Sequence, residues 1–229
     1  MKYGIVFLLF GLTCAVYAVT SQVLGVRLIT VSFALAFSGV GLAYAFIGQR
    51  AFMKQASGRL SFWSYVLYWP YHLLNSISLN GFRRSGKENA LDQIEKNVYL
   101  GCRLAQSDQA EIERLGIQSV LDLTCEFSEI PALRQLRYRC IPTLDARAPS
   151  LESLIAGAQW IMDESTKGPV YVHCALGHGR SATFVAAYLL VSKKVATPQE
   201  AIAKIKGIRP KVGLHPEQIA LLEEMVAQG

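Results

Sequence analysis

The chain has 229 residues, of which 52% are hydrophobic and 17% charged, a greasier make-up than a soluble domain requires. Its formal charge of +6 is unevenly placed: residues 1–87 hold eight Lys or Arg and no acid, whereas residues 88–229 hold fifteen basic and seventeen acidic residues. A basic protein that coats nucleic acid is thereby excluded as a reading, because the positive charge belongs to a hydrophobic N-terminal region and suits a membrane surface.

Residues 3–20 and 28–48 carry no charged side chain, and the second, LITVSFALAFSGVGLAYAFIG, is long enough for a hydrocarbon core of about 30 Å. Both predict transmembrane helices, so residues 1–49 are expected to form a hairpin in the lipid bilayer. Lys2, the apolar run and Val16-Tyr17-Ala18 also imitate a cleaved signal peptide. In either case the chain beyond the second helix is expected at the cytoplasmic face, since Arg50, Lys54 and Arg59 come directly after that helix and basic residues stay inside. The expected protein is therefore a multi-pass membrane protein whose globular part faces the cytoplasm.

Residues 50–87 make a basic, aromatic juxtamembrane segment. Residues 60–82 are uncharged, yet Trp63, Tyr65, Tyr68, Trp69 and Tyr71 cluster around Pro70, His72 and Asn75, a composition for the headgroup region rather than the bilayer centre. Arg83, Arg84 and Lys87 then predict a basic collar for anionic lipid.

From residue 88 to 229 the composition is that of a single soluble domain. Strands are predicted at 97–100, 117–123, 138–141 and 169–174, alternating with helices at 107–115, 151–163, 180–192, 198–206 and 216–226. That alternation predicts an α/β fold, a central sheet with flanking helices. Thr197-Pro198-Gln199-Glu200 is a capping box with Pro at the first helical position, and His215-Pro216-Glu217 opens the last helix similarly.

The chemistry lies in VYVHCALGHGRSATFVAAYLL. An apolar strand runs into His173-Cys174, a loop of Ala175, Leu176, Gly177, His178 and Gly179 comes next, and Arg180-Ser181 opens an apolar helix. Strand, tight loop and helix N-terminus form an anion cradle in which loop N–H groups converge on one phosphate. Gly177 and Gly179 are expected to supply positive φ angles. Cys174 then sits beneath phosphorus as a thiolate favoured by helix dipole, amides and Arg180, and the planar fork of Arg180 can hold two phosphate oxygens. The five cysteines, Cys14, Cys102, Cys125, Cys140 and Cys174, make no CxxC pair, which argues against a disulfide framework and a zinc site. The four histidines have no metal spacing either. No metal and no cofactor are expected. Cys102, Cys125 and Cys140 are taken as small core residues, His72 and His215 as surface or interfacial residues, and Arg209 as a solvated helix end.

HCxxGxxRS resembles the signature of the cysteine-dependent protein tyrosine and dual-specificity phosphatases, and implies their fold and their phosphomonoester substrates. In that family the cysteine attacks phosphorus, an upstream aspartate protonates the leaving group, and the residue after the arginine assists breakdown of the phosphocysteine. Position by position these are Cys174, Arg180 and Ser181, with His173 a supporting neighbour. For the acid, Asp145 in the Pro-bounded loop Ile141–Pro149 is favoured over Asp122 at a strand end, because a mobile general acid belongs on a loop. Asn97-Val98-Tyr99-Leu100-Gly101, the Pro142–Asp145 loop, VYVHC, RSATFVAAYLL and EAIAKIKGIRP are similar to the mitochondrial phosphatidylglycerophosphate phosphatase branch. The resemblance implies a lipid phosphate as substrate, with a phosphoprotein as the alternative and a phospho-ligand binding module as the non-enzymatic one. The loop lacks the added basic residues of lipid-phosphate phosphatases, a charge that His178 would replace in part when protonated.

Overall fold

The computed structural model describes residues 2–86 and 88–228. The chain divides into two compact units. The first comprises the residues through Gln55, together with Arg59–Gly81 and Cys125–Phe127; the second comprises Ala56–Gly58, Phe82–Thr124 and the residues from Ser128 on.

In the first unit, α1 (Lys2–Thr20) and α2 (Leu24–Leu42) pair as a hairpin along small residues. Gly4, Gly11 and Ala18, seven apart, are the buried positions of α1. A Cβ at Gly11 would lie 2.5 Å from Ser38 Oγ, and one at Gly41 2.6 Å from Leu8 Cγ, so the helices approach too closely for larger residues. Ile5, Leu9, Leu12 and Val16 of α1 and Leu28 and Leu35 of α2 point away, exposed. α1 and the segment Leu24–Phe52, which continues α2 through a π turn and a 3-10 turn, are long and apolar enough to cross a membrane.

The aromatic segment forms one helix, α3 (Phe62–Arg84), kinked where Tyr68 leaves helical geometry (φ −108°, ψ 21°) ahead of Pro70, whose ring cannot follow a regular turn. Tyr68 and Tyr71 stack around Phe52 with centroids 5.4 and 5.5 Å away. His72 is buried rather than at a surface, with Nε2 3.2 Å from Ser64 Oγ. Of the predicted basic collar, Arg84 is exposed, but Arg83 is not available to lipid. Within the second unit it holds both Asp108 carboxylate oxygens at 2.6 and 2.7 Å and the Arg103 carbonyl at 3.1 Å. Lys87 lies outside the described residues.

The second unit is built on a five-stranded sheet in the order β1-β2-β5-β3-β4. The strands are β1 (Leu91–Glu95), β2 (Val98–Gly101), β3 (Ser119–Thr124), β4 (Arg137–Thr143) and β5 (Val170–His173), and all pairings are parallel except β1 with β2. α6 (Leu151–Lys167), α7 (Arg180–Val191), α8 (Pro198–Ile208) and α9 (Pro216–Gln228) cover one face, where Leu100, Leu121, Val172, Phe184 and Leu222 are buried. The short α4 (Gln109–Arg114) and α5 (Pro131–Arg134) cover the other, where Val120 and Tyr171 of the sheet and Leu133 of α5 are buried. The predicted α/β fold is therefore present, and every predicted strand and helix has its counterpart.

β1 and α5 had not been anticipated, and Asn97, assigned to the start of a strand, instead occupies the β1–β2 turn at φ 64°, a left-handed conformation Asn tolerates. β1 escaped because LDQIE is acidic, and its charges are balanced by distant partners: Asp92 by Arg209, Glu95 by Lys194 and Lys204. The two predicted caps form with one variation each. Thr197 Oγ1 accepts from Glu200 N at 3.2 Å, while Glu200 reaches back to Ala196 N at 2.8 Å. At α9 the reciprocal bond comes from Gln218, whose Oε1 accepts His215 N–H at 2.9 Å.

Candidate active site

β5 is buried throughout and hydrogen-bonded on both edges, by β2 and by β3, so its carboxyl end delivers His173-Cys174 to the rim of the sheet at a fixed depth. The loop from Cys174 to Gly179 then turns over β2. Gly177 takes φ 81° and passes so close that a Cβ would stand 2.5 Å from Gly101 C and 2.6 Å from Gly101 O, which only glycine can do. Gly179, expected to share that role, does not: it is the N-cap of α7 at φ −108°. The loop carbonyls are drawn outward, Ala175 O to Arg103 N at 2.9 Å, Leu176 O to Arg209 Nη2 at 3.4 Å and His178 O to Gly213 N at 3.2 Å. With the carbonyls engaged outside, Gly177 N–H donates to Cys174 Sγ at 3.3 Å, the kind of contact an anion nest uses.

Cys174, Arg180, Asp145 and Ser181 come together at this loop. Ser181, on the first turn of α7, donates its hydroxyl to Cys174 Sγ at 3.2 Å. Burial pushes the Cys174 thiol up, but the Arg180 charge and the hydrogen bonds from Ser181 outweigh it, against a small opposing effect of Asp145, and hold the thiol below its ordinary value. Arg180 is 1% exposed. One end of its fork, Nη1, donates to Thr143 O at 2.9 Å, and the other, Nη2, lies 3.2 Å from Asp145 Oδ1. Asp145 is two-thirds exposed, at 67%, on the turn after β4, where Arg147 N–H bonds Leu144 O at 3.2 Å and Ala146 is left-handed at φ 57°.

Asp122, the competing acid, is fully buried and fully engaged: Oδ1 accepts from Thr124 N and Oγ1 at 2.8 and 2.7 Å, and Oδ2 from Tyr138 OH at 2.6 Å. Burial and the Asp122 carboxylate raise the Tyr138 phenol well above its usual range. His173 is a brace beneath the loop. Its Nδ1 faces Cys174 O at 3.2 Å, its Nε2 lies 2.7 Å from Glu129 Oε2, and its ring stacks on Tyr171 with centroids 5.2 Å apart. Asp122, Glu129 and His173 present ligand-type atoms within 4.8 Å of one another, but the Asp122 carboxylate is already held by Thr124 and Tyr138.

Further sequence expectations change. His178 does not present a free cation to the mouth of the site: Nε2 lies 2.5 Å from Glu88 Oε2 and the ring packs edge-on against Phe82 at 5.4 Å. Arg209 is not a solvated helix end but fully buried, donating to Asn89 O at 3.1 Å, to Asp92 and to Leu176 O, and so clamps the outside of the loop. Cys102 and Cys125 are buried as expected, whereas Cys140 is only half-buried. Glu129 and Gln218, both buried, were missed; neither stands in a motif, and only the folded chain brings them to the loop.

Residues 98–228 match the dual specificity phosphatase catalytic domain. Phosphatidylglycerophosphate phosphatase PTPMT2 of Arabidopsis thaliana is 30% identical over 166 residues, 69% of this chain and 71% of that protein. Phosphatidylglycerophosphatase and protein-tyrosine phosphatase 1 of Homo sapiens is 30% identical over 162 residues, again 69% and 71%. The crystal structure of PTPMT1 in complex with PI(5)P matches with a TM-score of 0.56 at 25% identity, covering 61% of this chain and 96% of that one.

Proposed function

Because the chain belongs to the dual specificity phosphatase family and is thus a phosphoric monoester hydrolase, we propose that it is a membrane-anchored, cysteine-dependent phosphatase acting through a phosphocysteine. The preferred substrate is the head-group phosphate of a phospholipid such as phosphatidylglycerophosphate. The observation that carries this is the Cys174 sulfur held between Gly177 N–H at 3.3 Å and Ser181 Oγ at 3.2 Å, with the Arg180 guanidinium buried beside it.

In the first step a phosphate dianion enters the nest and takes both arms of the Arg180 fork. The Cys174 thiolate attacks phosphorus opposite the ester oxygen, the P–O bond breaks, and Asp145 gives its proton to the departing alkoxide. In the second, Asp145, now a carboxylate, takes a proton from water as that water attacks the phosphocysteine. The P–S bond breaks, inorganic phosphate leaves, and Ser181 receives the returning sulfur anion by donating its hydroxyl. Amide dipoles and the guanidinium carry the equatorial charge in both steps.

The lipid reading is supported by the two apolar helices and by the named activity of the Arabidopsis and human relatives. The basic residues after the second helix favour a catalytic domain at the cytoplasmic face. The name of the human relative also supports a second reading, a phosphotyrosyl protein as substrate. The test is phosphate release by the full chain in vesicles from phosphatidylglycerophosphate and from a phosphotyrosyl peptide, with phosphorus trapped by acid quench and located by mass spectrometry. The expected result is faster turnover of the lipid, phosphorus on Cys174, and loss of at least about a thousandfold in rate with Cys174→Ser. Faster turnover of the peptide makes the second reading the correct one; phosphorus never found on Cys174 removes the mechanism.

A further inference from the structure

Asp145 stands on a short, solvent-facing turn, and its contact with the cradle is to Arg180 Nη2 at 3.2 Å. That contact is lost on binding, since incoming phosphate needs the same arm of the fork. Something else must keep the turn in place at the moment the acid is required. Further ties hold it, and two of them come from the first turn of α9. Arg147 Nη1 meets the Glu217 carboxylate at 2.9 and 3.2 Å, but Glu217 is 55% exposed, so water and salt weaken that pair. The second tie is buried. Gln218 is 0% exposed and both ends of its carboxamide are committed: Oε1 accepts His215 N–H at 2.9 Å and Nε2 donates to Arg147 O at 3.0 Å. These partners fix which end is which. The same carboxamide packs against the N-cap of α7, lying 3.5 and 3.6 Å from where a Gly179 Cβ would stand. One rigid group thus touches the end of the phosphate loop and the acid's turn together.

We propose that Gln218 is a positioning residue for the general acid: docked on the Arg147 carbonyl, it holds the Asp145 turn over the leaving group after phosphate has displaced Asp145 from Arg180. The proposal rests on Asp145 being the acid. Its consequence depends on the leaving group. An aryl phosphate whose phenoxide departs without a proton needs no positioned acid, whereas an alkyl phosphate does.

The experiment compares the full chain with Gln218→Leu, Asp145→Ala and the double variant, using p-nitrophenyl phosphate and an alkyl phosphate such as glycerol phosphate. Gln218→Leu is expected to lower kcat on the alkyl phosphate about tenfold or more, as displacement of a reacting group by about 1 Å does, and on the aryl phosphate by less than about threefold. In the Asp145→Ala background the same substitution is expected to change neither rate further, because it acts through the absent carboxylate. Glu217→Gln, an exposed change that spares the fold, is expected to shift the alkyl to aryl ratio in the same direction by a smaller factor. If Gln218→Leu slows both substrates equally, or its effect persists undiminished on top of Asp145→Ala, Gln218 is merely structural and the proposal is overturned. If Asp145→Ala itself leaves the alkyl rate untouched, the acid assignment has failed first, a result distinguishable from the others by that variant alone.

Discussion

Cys174 shows how a buried group can be held charged against its own desolvation. Burial favours the thiol, and three local features reverse it: the Arg180 guanidinium, the Ser181 hydroxyl and the Ser181 backbone N–H. The sign for activity is then fixed. The thiolate is the populated form above the lowered pKa and is protonated as pH falls through it, so the acid limb of kcat/KM lies below the ordinary cysteine range. Ser181→Ala removes one of the stabilising bonds and is expected to move that limb upward, by about half a unit to one unit. The rate of iodoacetate alkylation of Cys174 against pH measures it; an unmoved limb means that Arg180 and the Ser181 backbone N–H alone set the thiolate. The grouping of Cys174, Arg180 and Ser181 was legible in the sequence because they stand within eight consecutive positions and the roles proposed for them need only local geometry. Gln218, Glu129 and Arg209 were not. Each acts by meeting a backbone carbonyl or an imidazole more than thirty residues away, and no pattern along the chain records such a meeting.

Individual elements carry their own record of what was readable. α6, α7 and α9 were predicted within a few residues from period and caps, and β5 from its apolar run, because each obeys a local rule that its packing then reinforces. β1 was invisible for the opposite reason: its acids are balanced by Arg209, Lys194 and Lys204, which the chain supplies about a hundred residues later. A comparable long-range tie joins α6 to the sheet. Glu164 is buried at 8% exposure and gathers Ser119 Oγ at 2.7 Å, Lys167 Nζ at 2.7 Å and the Arg137 guanidinium. Burial pushes its carboxyl up, but the hydrogen bonds from Lys167, Ser119 and Arg137 and the Lys167 charge prevail and bring it to about 2. A carboxyl depressed on folding contributes stability above its ordinary value of 4.5, and that contribution fades as pH falls toward about 2. Glu164→Gln is expected to destabilise by about 1–2 kcal/mol at neutral pH, less than the full shift because Arg137 and Lys167 are part-exposed. The difference between variant and native denaturation midpoints narrows below about pH 4; a difference constant down to pH 2 contradicts the assignment.

For the whole molecule, the proposed membrane address belongs to the hairpin-bearing unit and the proposed chemistry to the sheet-bearing unit. The small-residue seam of Gly4, Gly11 and Gly41 packs α1 on α2 and leaves an apolar outer surface, which in the proposed membrane setting faces lipid. A tethered enzyme meets substrate in its own bilayer at a high effective concentration. Full-length protein in vesicles is therefore expected to hydrolyse phosphatidylglycerophosphate in the same vesicle at least about tenfold faster than an equal amount presented in separate vesicles, with no such preference for a soluble aryl phosphate. Equal rates from the two presentations indicate that anchoring does not supply the substrate.

The contact of Asp145 with Arg180 also bears on how a catalytic cycle ends. A guanidinium buried in a nest of amides is an excellent trap for inorganic phosphate, and a trap that never opens is a poor enzyme. Hydrolysis leaves Asp145 with the proton taken from water, and once that proton passes to solvent the carboxylate is the natural rival of the product for Arg180 Nη2. Each turnover thus regenerates, a hydrogen bond's length away, the group that evicts what the reaction has made.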